Sequence, residues 1–363
     1  MFGDTSETDE WMELALFWFN INFKFYIMDN NFSVFGLTIE QTEVLFALQR
    51  KLTSNDISLE RNKKPLIGNN KSGQKLLWLD CWDSSIYDYV SHLNGNPTQL
   101  KISTTDLKAK IKRIDIGTQN KVWKYMVLLE CVLYKPFYPL DTNKDAYKPF
   151  KGLTIDNNGR ISMLKEISNI LDIDYKYIKI FDDSFSSAVK KLSGYWTKVA
   201  LSAGIGIIVV LIAIVTFQYQ IIAFFAASGL HGAAAISAGL AALGGGAISA
   251  GGFGMMGGIA VLIGGGTLLG ASAGTAAGVS IANLGSNAVL SEAAKLQVVL
   301  KEIVLAIQKD TKYFQEILLR VNQQIKQLKD EIVILKANTE KNKSKIKNLE
   351  ESIKILEKLV NNA

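Results

Sequence analysis

Hydrophobic and polar positions alternate in three different rhythms along this chain, and each rhythm predicts a different kind of element. Between residues 14 and 28 the period is two. Phe17, Phe19, Ile21, Phe23, Phe25 and Ile27 alternate with Trp18, Asn20, Asn22, Lys24 and Tyr26, the pattern of a half-buried strand. From Thr38 to Thr53 the period lengthens to that of a helix. Thr38 and Gln41 are spaced as a capping box, and Val44, Leu45 and Leu48 supply the apolar face. Leu76–Asp80 reads as a short strand and Asp83–Leu93 as a helix. Thr104–Arg113 reads as a short basic helix, whereas the apolar run Trp123–Tyr134 fits helix or strand equally. Lys135–Lys151 reads as a loop and Asn157–Gly159 as a turn, and Ile161–Leu171 and Asp183–Trp196 again carry the helical period.

In the tail the rhythm is a heptad. With Val304, Thr311, Leu318, Ile325, Ile332, Thr339, Ile346, Ile353 and Val360 at position a, residues Leu300, Ile307, Phe314, Val321, Leu328, Leu335, Asn342, Leu349 and Leu356 fall at d. A seam this long predicts a coiled-coil helix of roughly 100 Å. Thr339 and Asn342 interrupt it, either as a bend or as polar residues that set register. The partner of the seam is open between a second copy and another protein.

The rhythm fails altogether between Val199 and Ser291, where there is no Asp, Glu, Lys or Arg. A bilayer core about 30 Å thick takes roughly 20 apolar residues per helical span, so this charge-free block is long enough for several. Val199–Ala227 is dense in Ile, Val, Leu and Phe and reads as one span. Gly229–Gly285 is built of Gly, Ala and Ser with scattered Ile, Leu and Met, and 20 of the 29 glycines lie between Gly204 and Gly285. Small residues four apart, as at Gly254–Gly258 and Gly270–Gly274, let helices pack closely in lipid. Two further helices, roughly 233–250 and 254–282, follow from the breaks. The fold class expected is therefore an α+β soluble N-terminal domain over 1–190, Gly/Ala-rich transmembrane helices over 191–291, and a long C-terminal coiled-coil helix over 292–363.

Charge adds a direction. The net charge is +6, acidic at the start (Asp4, Glu7, Asp9, Glu10 and Glu13) and basic beyond. The basic residues Lys63, Lys64, Lys71, Lys75, Lys108, Lys110, Lys112, Arg113, Lys144, Lys148 and Lys151 are candidate contacts for anionic lipid headgroups. Lys190, Lys191, Tyr195, Trp196 and Lys198 mark a membrane boundary, charges and interfacial aromatics together. Lys295 and Lys301 flank the other end. By the positive-inside rule both ends then face the cytoplasm and the span count is even, in conflict with three helices. Insertion is expected from the cytosolic side, with a cytoplasmic form before activation.

The chemistry of catalysis is missing. Gly68–Lys75 is a near miss for a phosphate loop, because Gln74 separates Gly73 from Lys75 and Leu76 follows. His92 and His231 are the only histidines, and Cys81 and Cys131 make neither a disulfide framework nor a metal set. No enzyme, cofactor, metal site or direct nucleic-acid binding is expected.

The stretches Gly239–Gly246 (GLAALGGG) and Gly251–Gly266 (GGFGMMGGIAVLIGGG) resemble the membrane segment of the interferon-inducible 6-16-type membrane proteins. The order of a basic soluble domain and a charge-free block resembles the membrane effectors encoded beside short prokaryotic Argonautes. That resemblance implies an Argonaute or adaptor partner, anionic phospholipid binding, homo-oligomerisation on activation, depolarisation and antiviral abortive infection. Two other functions fit the same pattern: an α-helical pore-forming toxin, and a constitutive membrane scaffold whose coil tethers partners.

Overall fold

Helix follows helix from Ile39 to Ser193 and again from Ser286 to Asn361 in a computed structural model that describes residues 36–63, 71–94, 100–118, 121–137, 148–193, 261–264, 268 and 286–363. The helices are α1 (Ile39–Asn62), α2 (Ser72–Asn94), α3 (Thr104–Gly117), α4 (Val122–Leu133), α5 (Asn157–Ile170), α6 (Lys176–Ser193), α7 (Ser286–Val298), α8 (Thr311–Leu335) and α9 (Thr339–Asn361). A π-helical segment, Val299–Gln308, continues α7. The one strand pairing among the described residues is a two-residue antiparallel bridge of β1 (Gly36–Leu37) with β2 (Val261–Leu262).

Side-chain caps begin four of the described helices, where the first N–H groups lack partners. The box at α1 is complete: the Thr38 hydroxyl accepts the Gln41 N–H at 3.3 Å and the Gln41 side chain accepts the Thr38 N–H at 3.0 Å. Ser103, Asp156 and Asp310 cap α3, α5 and α8 in the same way. Gly159 lets α5 approach α1, since a Cβ there would lie 2.2 Å from Leu59 Cδ1.

One hydrophobic cluster runs from Leu37 to Leu359. At its centre lies α4, in which every residue except Tyr125 is buried. Helices α1, α5 and α6 and the π segment surround it. Beside it Trp78 and Trp82 of α2 stack, Phe46 of α1 meets Trp82 edge-on, and Phe137 does the same to Trp78.

The expected fold class is corrected by this arrangement. Instead of an α+β domain, the described N-terminal part is a helical bundle. Leu76–Asp80, taken as a strand, lies inside α2, and the undecided run Trp123–Tyr134 is α4. A short apolar run reads the same in a buried strand and in a helix buried on all sides, and Trp78, Trp82 and the residues of α4 are so buried. The alternating run 14–28 lies outside the described residues.

Transmembrane helices are not supported either. Among the described residues no helix is long and apolar enough to cross a membrane. The expected spans 199–227 and 233–250 lie outside the described residues. The expected helix 254–282 is interrupted at its described part, where Val261–Leu262 is extended, Gly264 has φ +60° and Ile263 and Leu268 are buried in the bundle core.

The single long coiled-coil helix is likewise replaced. After Leu335 a 3-10 turn, Lys336–Asn338, reverses the chain, and α9 packs back on α8, α7 and α6. Ile325, Leu328, Ile332, Ile346, Leu349, Ile353 and Leu356 are buried as the heptads require, but against each other and the bundle. Of the two roles open to Thr339 and Asn342, the bend is the one observed. The Thr339 hydroxyl donates to Lys336 O, and Asn342 Nδ2 donates to the carbonyls of Leu335 and Asn338.

Candidate functional site: the seat of the charge-free block

Helix α6 ends at Ser193 and α7 begins at Ser286, so the two helices bracket most of the charge-free block. They pack along each other, and Ser184 donates to Glu302, just beyond the end of α7, at 2.9 Å. The rest of α6 therefore runs back toward the start of α7. The helices are antiparallel, and the chain leaves and re-enters the bundle at the same end. Lys190 and Lys191 are exposed in the last turn of α6 at that end.

A described piece of the block, Val261–Gly264, is seated on the core. Gly264 is the residue of closest approach. A Cβ there would lie 2.3 Å from Met126 Cε and 2.8 Å from Val299 Cγ2, and its φ of +60° is one that side chains rarely adopt. Its N–H donates to Glu130 Oε1 at 2.8 Å.

Glu130 is a buried carboxylate and the one acid on α4, near the C-terminal end, where the helix dipole disfavours negative charge. Its compensation comes from far along the chain. Lys295 Nζ lies 3.3 Å from both Glu130 oxygens and 3.0 Å from Glu292, three residues earlier on α7. Lys295 and Glu292 are themselves 2 % and 0 % exposed. Burial works against the Lys295 charge, but Glu130 and Glu292 outweigh it and hold the ammonium above its ordinary range. Two carboxylates thus share one ammonium in the core, and the Gly264 N–H supplies a further donor. Burying charge is costly without such partners, so docking of the block helps to satisfy the bundle's own buried acid. The neighbouring Cys131 is the reverse of a reactive thiol: burial, with the Glu130 charge beside it, pushes its ionisation far up.

The expected lipid-contacting residues are distributed as follows. Lys75 is 2 % exposed, 2.7 Å from Asp56 and 3.2 Å from Glu60, with its ammonium over the Phe137 ring. It is a core residue that joins α1 to α2. On α3, Lys110 pairs with Glu43, Arg113 with Glu40 at 3.3 Å, and Lys108 donates to Asn169, while Lys112 is exposed. Lys63 faces Glu60 and Asp156. The structure brings Lys71 to the 148–152 turn, where it donates to Gly152 O at 3.1 Å, beside exposed Lys148 and Lys151. Lys64, Lys144, Tyr195, Trp196 and Lys198 lie outside the described residues. Lys295, counted among the flanking cations, is buried and has no part in a charge asymmetry.

Glu130 and Glu292 were missed by sequence reasoning. The signal was present: Glu130 is the lone acid in the apolar run Trp123–Tyr134, and Glu292 and Lys295 stand three apart within an apolar stretch. No group of His, Cys, Asp and Glu among the described residues is arranged to hold a metal ion. No family model, curated protein or solved structure matches this chain.

Proposed function

We propose that this chain is a membrane-acting effector whose charge-free block is held on a helical bundle and acts on the bilayer after release. The observation that carries the reading is the seat at Gly264. It ties a block without formal charge to a buried carboxylate, at a bundle whose two bracketing helices deliver both ends of that block to one side. Exposed Lys71, Lys148 and Lys151 give the bundle a cationic surface for anionic headgroups, each worth about 1 kcal/mol near such a surface. A protein partner of the Argonaute or adaptor kind supplies the trigger, copies assemble, and ions leak.

The test is dye release from vesicles of phosphatidylcholine and phosphatidylglycerol, paired with a voltage-sensitive dye in expressing cells. Gly264→Ala disrupts the seat and is expected to raise leakage at least several-fold over the wild type. Deletion of 199–285 is expected to abolish it. Leakage unchanged by both variants, or absent throughout with cell potential intact, removes the reading and leaves a scaffold.

A second reading, a secreted α-helical pore-forming toxin, gains from one observation. The bundle around the block is helical where an α+β domain was expected. Fractionation decides between the two: a toxin is recovered from the culture medium, an effector from the producing cell.

A further inference from the structure

Two ion pairs show how the flanks of the α8–α9 hairpin lie. Lys329 meets Glu357 at 2.7 Å, joining two e positions of the heptad, and Lys345 meets Glu331 at 2.9 Å, joining two g positions. The g flank is covered along its middle, where Gln324 and Ser352 are buried. Near the reversal the cover ends. Ile334, one turn past Glu331 on that flank, is 74 % exposed, and Val333, one turn past Lys329 on the opposite flank, is 71 % exposed. Lys336, Ala337, Asn338 and Thr339 of the turn are exposed as well. The tip of the hairpin therefore stands clear of the described bundle. It is also basic: from Lys326 to Lys347 the chain carries seven lysines against Asp330, Glu331 and Glu340. Lys336, Lys343 and Lys347 are exposed and form no ion pair among the described residues. Lys343 and Lys347, four apart on α9, share a face.

We propose that this tip docks on an anionic membrane surface, with Val333 and Ile334 entering the headgroup layer and Lys336, Lys343 and Lys347 meeting lipid phosphates. Exposed apolar side chains beside lysines suit an interface at which apolar area and electrostatic attraction add. The phosphate backbone of a nucleic acid would take the charge but gives the apolar pair nothing to enter. A stable protein interface needs about 800 Å² on each side, and the apolar patch is too short for one. The next exposed apolar residue back along α8 is Leu319, beyond Asp330, Lys326, Gln323 and Asn322. The tip shares no residue with the Gly264 seat or with the surface of Lys71, Lys148 and Lys151, so docking there needs no release of the charge-free block.

The experiment is flotation of the purified full chain with vesicles of phosphatidylcholine, with and without phosphatidylglycerol. The wild type is expected to bind the anionic vesicles at least tenfold more tightly than the neutral ones. Two variants strip the tip: Val333→Ser with Ile334→Ser, and Lys336→Gln with Lys343→Gln and Lys347→Gln. All five side chains are exposed, so both variants are expected to keep the thermal midpoint of the wild type and to bind anionic vesicles at least fivefold less. Lys71→Gln with Lys148→Gln and Lys151→Gln removes the same charge elsewhere and is expected to cost less than the tip triple. Wild-type binding that ignores phosphatidylglycerol, or an equal or greater loss in the second triple, overturns the proposal. So does full binding by the serine pair when the tip triple has lost it, which would make the tip a polyanion site of the nucleic-acid kind. Dye release from the same vesicles reports on the proposed function separately: tip-dependent flotation without release supports docking and counts only against permeabilisation.

Discussion

A lysine that carries its charge inside an apolar core is useful only while its partners are in place. Lys295 has two carboxylates within 3.3 Å and almost no contact with water. Replacing it with Met leaves Glu130 and Glu292 facing each other, and breaking a buried pair in this way costs about 3–5 kcal/mol. Its pH signature has a definite sign. The folded state holds the Lys295 proton more tightly than the unfolded chain, whose ordinary value is 10.5. Its contribution is therefore fully present below that value and is lost as pH rises through the higher folded value. Thermal midpoints of the wild type are expected to fall above pH 10.5. Burial likewise pushes the Tyr313 phenol up, which adds alkaline sensitivity of the same sign. The comparison with Lys295→Met separates the two: the variant should start lower and lose less over that interval. Parallel curves for the two proteins would mean that Lys295 does not carry the effect.

Helices show which parts of a fold a sequence can announce. The Thr38–Gln41 box was legible because a cap is made by residues three apart. So was the seam from Val321 to Leu356 on either side of the bend, because burial follows a fixed period whatever covers it; ahead of it the register slips, and Tyr313 and Ile317 are buried more deeply than the expected Phe314 and Leu318. What covers it was not legible. A heptad specifies an apolar stripe, and the same stripe serves a partner chain or a helix folded back on its neighbour. Here the reversal at Lys336–Asn338 decides, and its cause is local: Asn342 spends its amide on two carbonyls of the turn. Ion pairs Lys345–Glu331 and Lys329–Glu357 cross between α8 and α9, though pairs this exposed contribute about 0–1 kcal/mol each. Spin labels at exposed Lys312 and Lys354 measure the outcome. One straight helix would separate them by roughly 60 Å at 1.5 Å per residue. The hairpin is expected to bring the labels to well under half of that in the full chain. A long distance would restore the extended coil.

Across the whole molecule, the residues that matter most to the proposed function are those no local pattern joins. Glu130 and Lys295 are 165 positions apart and Glu130 and Gly264 are 134 apart. Only the packing of α4, α6, α7 and the π segment brings them together. Lys75 makes the same point, since its burial depends on Asp56 and Glu60 from the preceding helix. The seat couples two demands that pull in opposite directions. The bundle needs a donor for Glu130, a bond to a charged acceptor worth about 1.5–3 kcal/mol, and the block supplies it from its own backbone. Buried Ile263 and Leu268 and the bridge at Val261–Leu262 hold the block as well, so on the proposed reading its release takes a binding event that offsets more than this one bond. Replacing 195–259 with a Gly/Ser linker tests that division. Val261–Gly264 and every described helix are retained, so the variant is expected to unfold cooperatively within a few degrees of the wild type. Gly264→Ala in the same background is expected to lower the stability further, by about 1–3 kcal/mol for a strained backbone and a lost bond. The linker chain should also fail to release dye from vesicles, with or without the second substitution. A linker chain that collapses would show that residues 195–259 belong to the folded core. One that still permeabilises vesicles would move the membrane activity to the bundle itself.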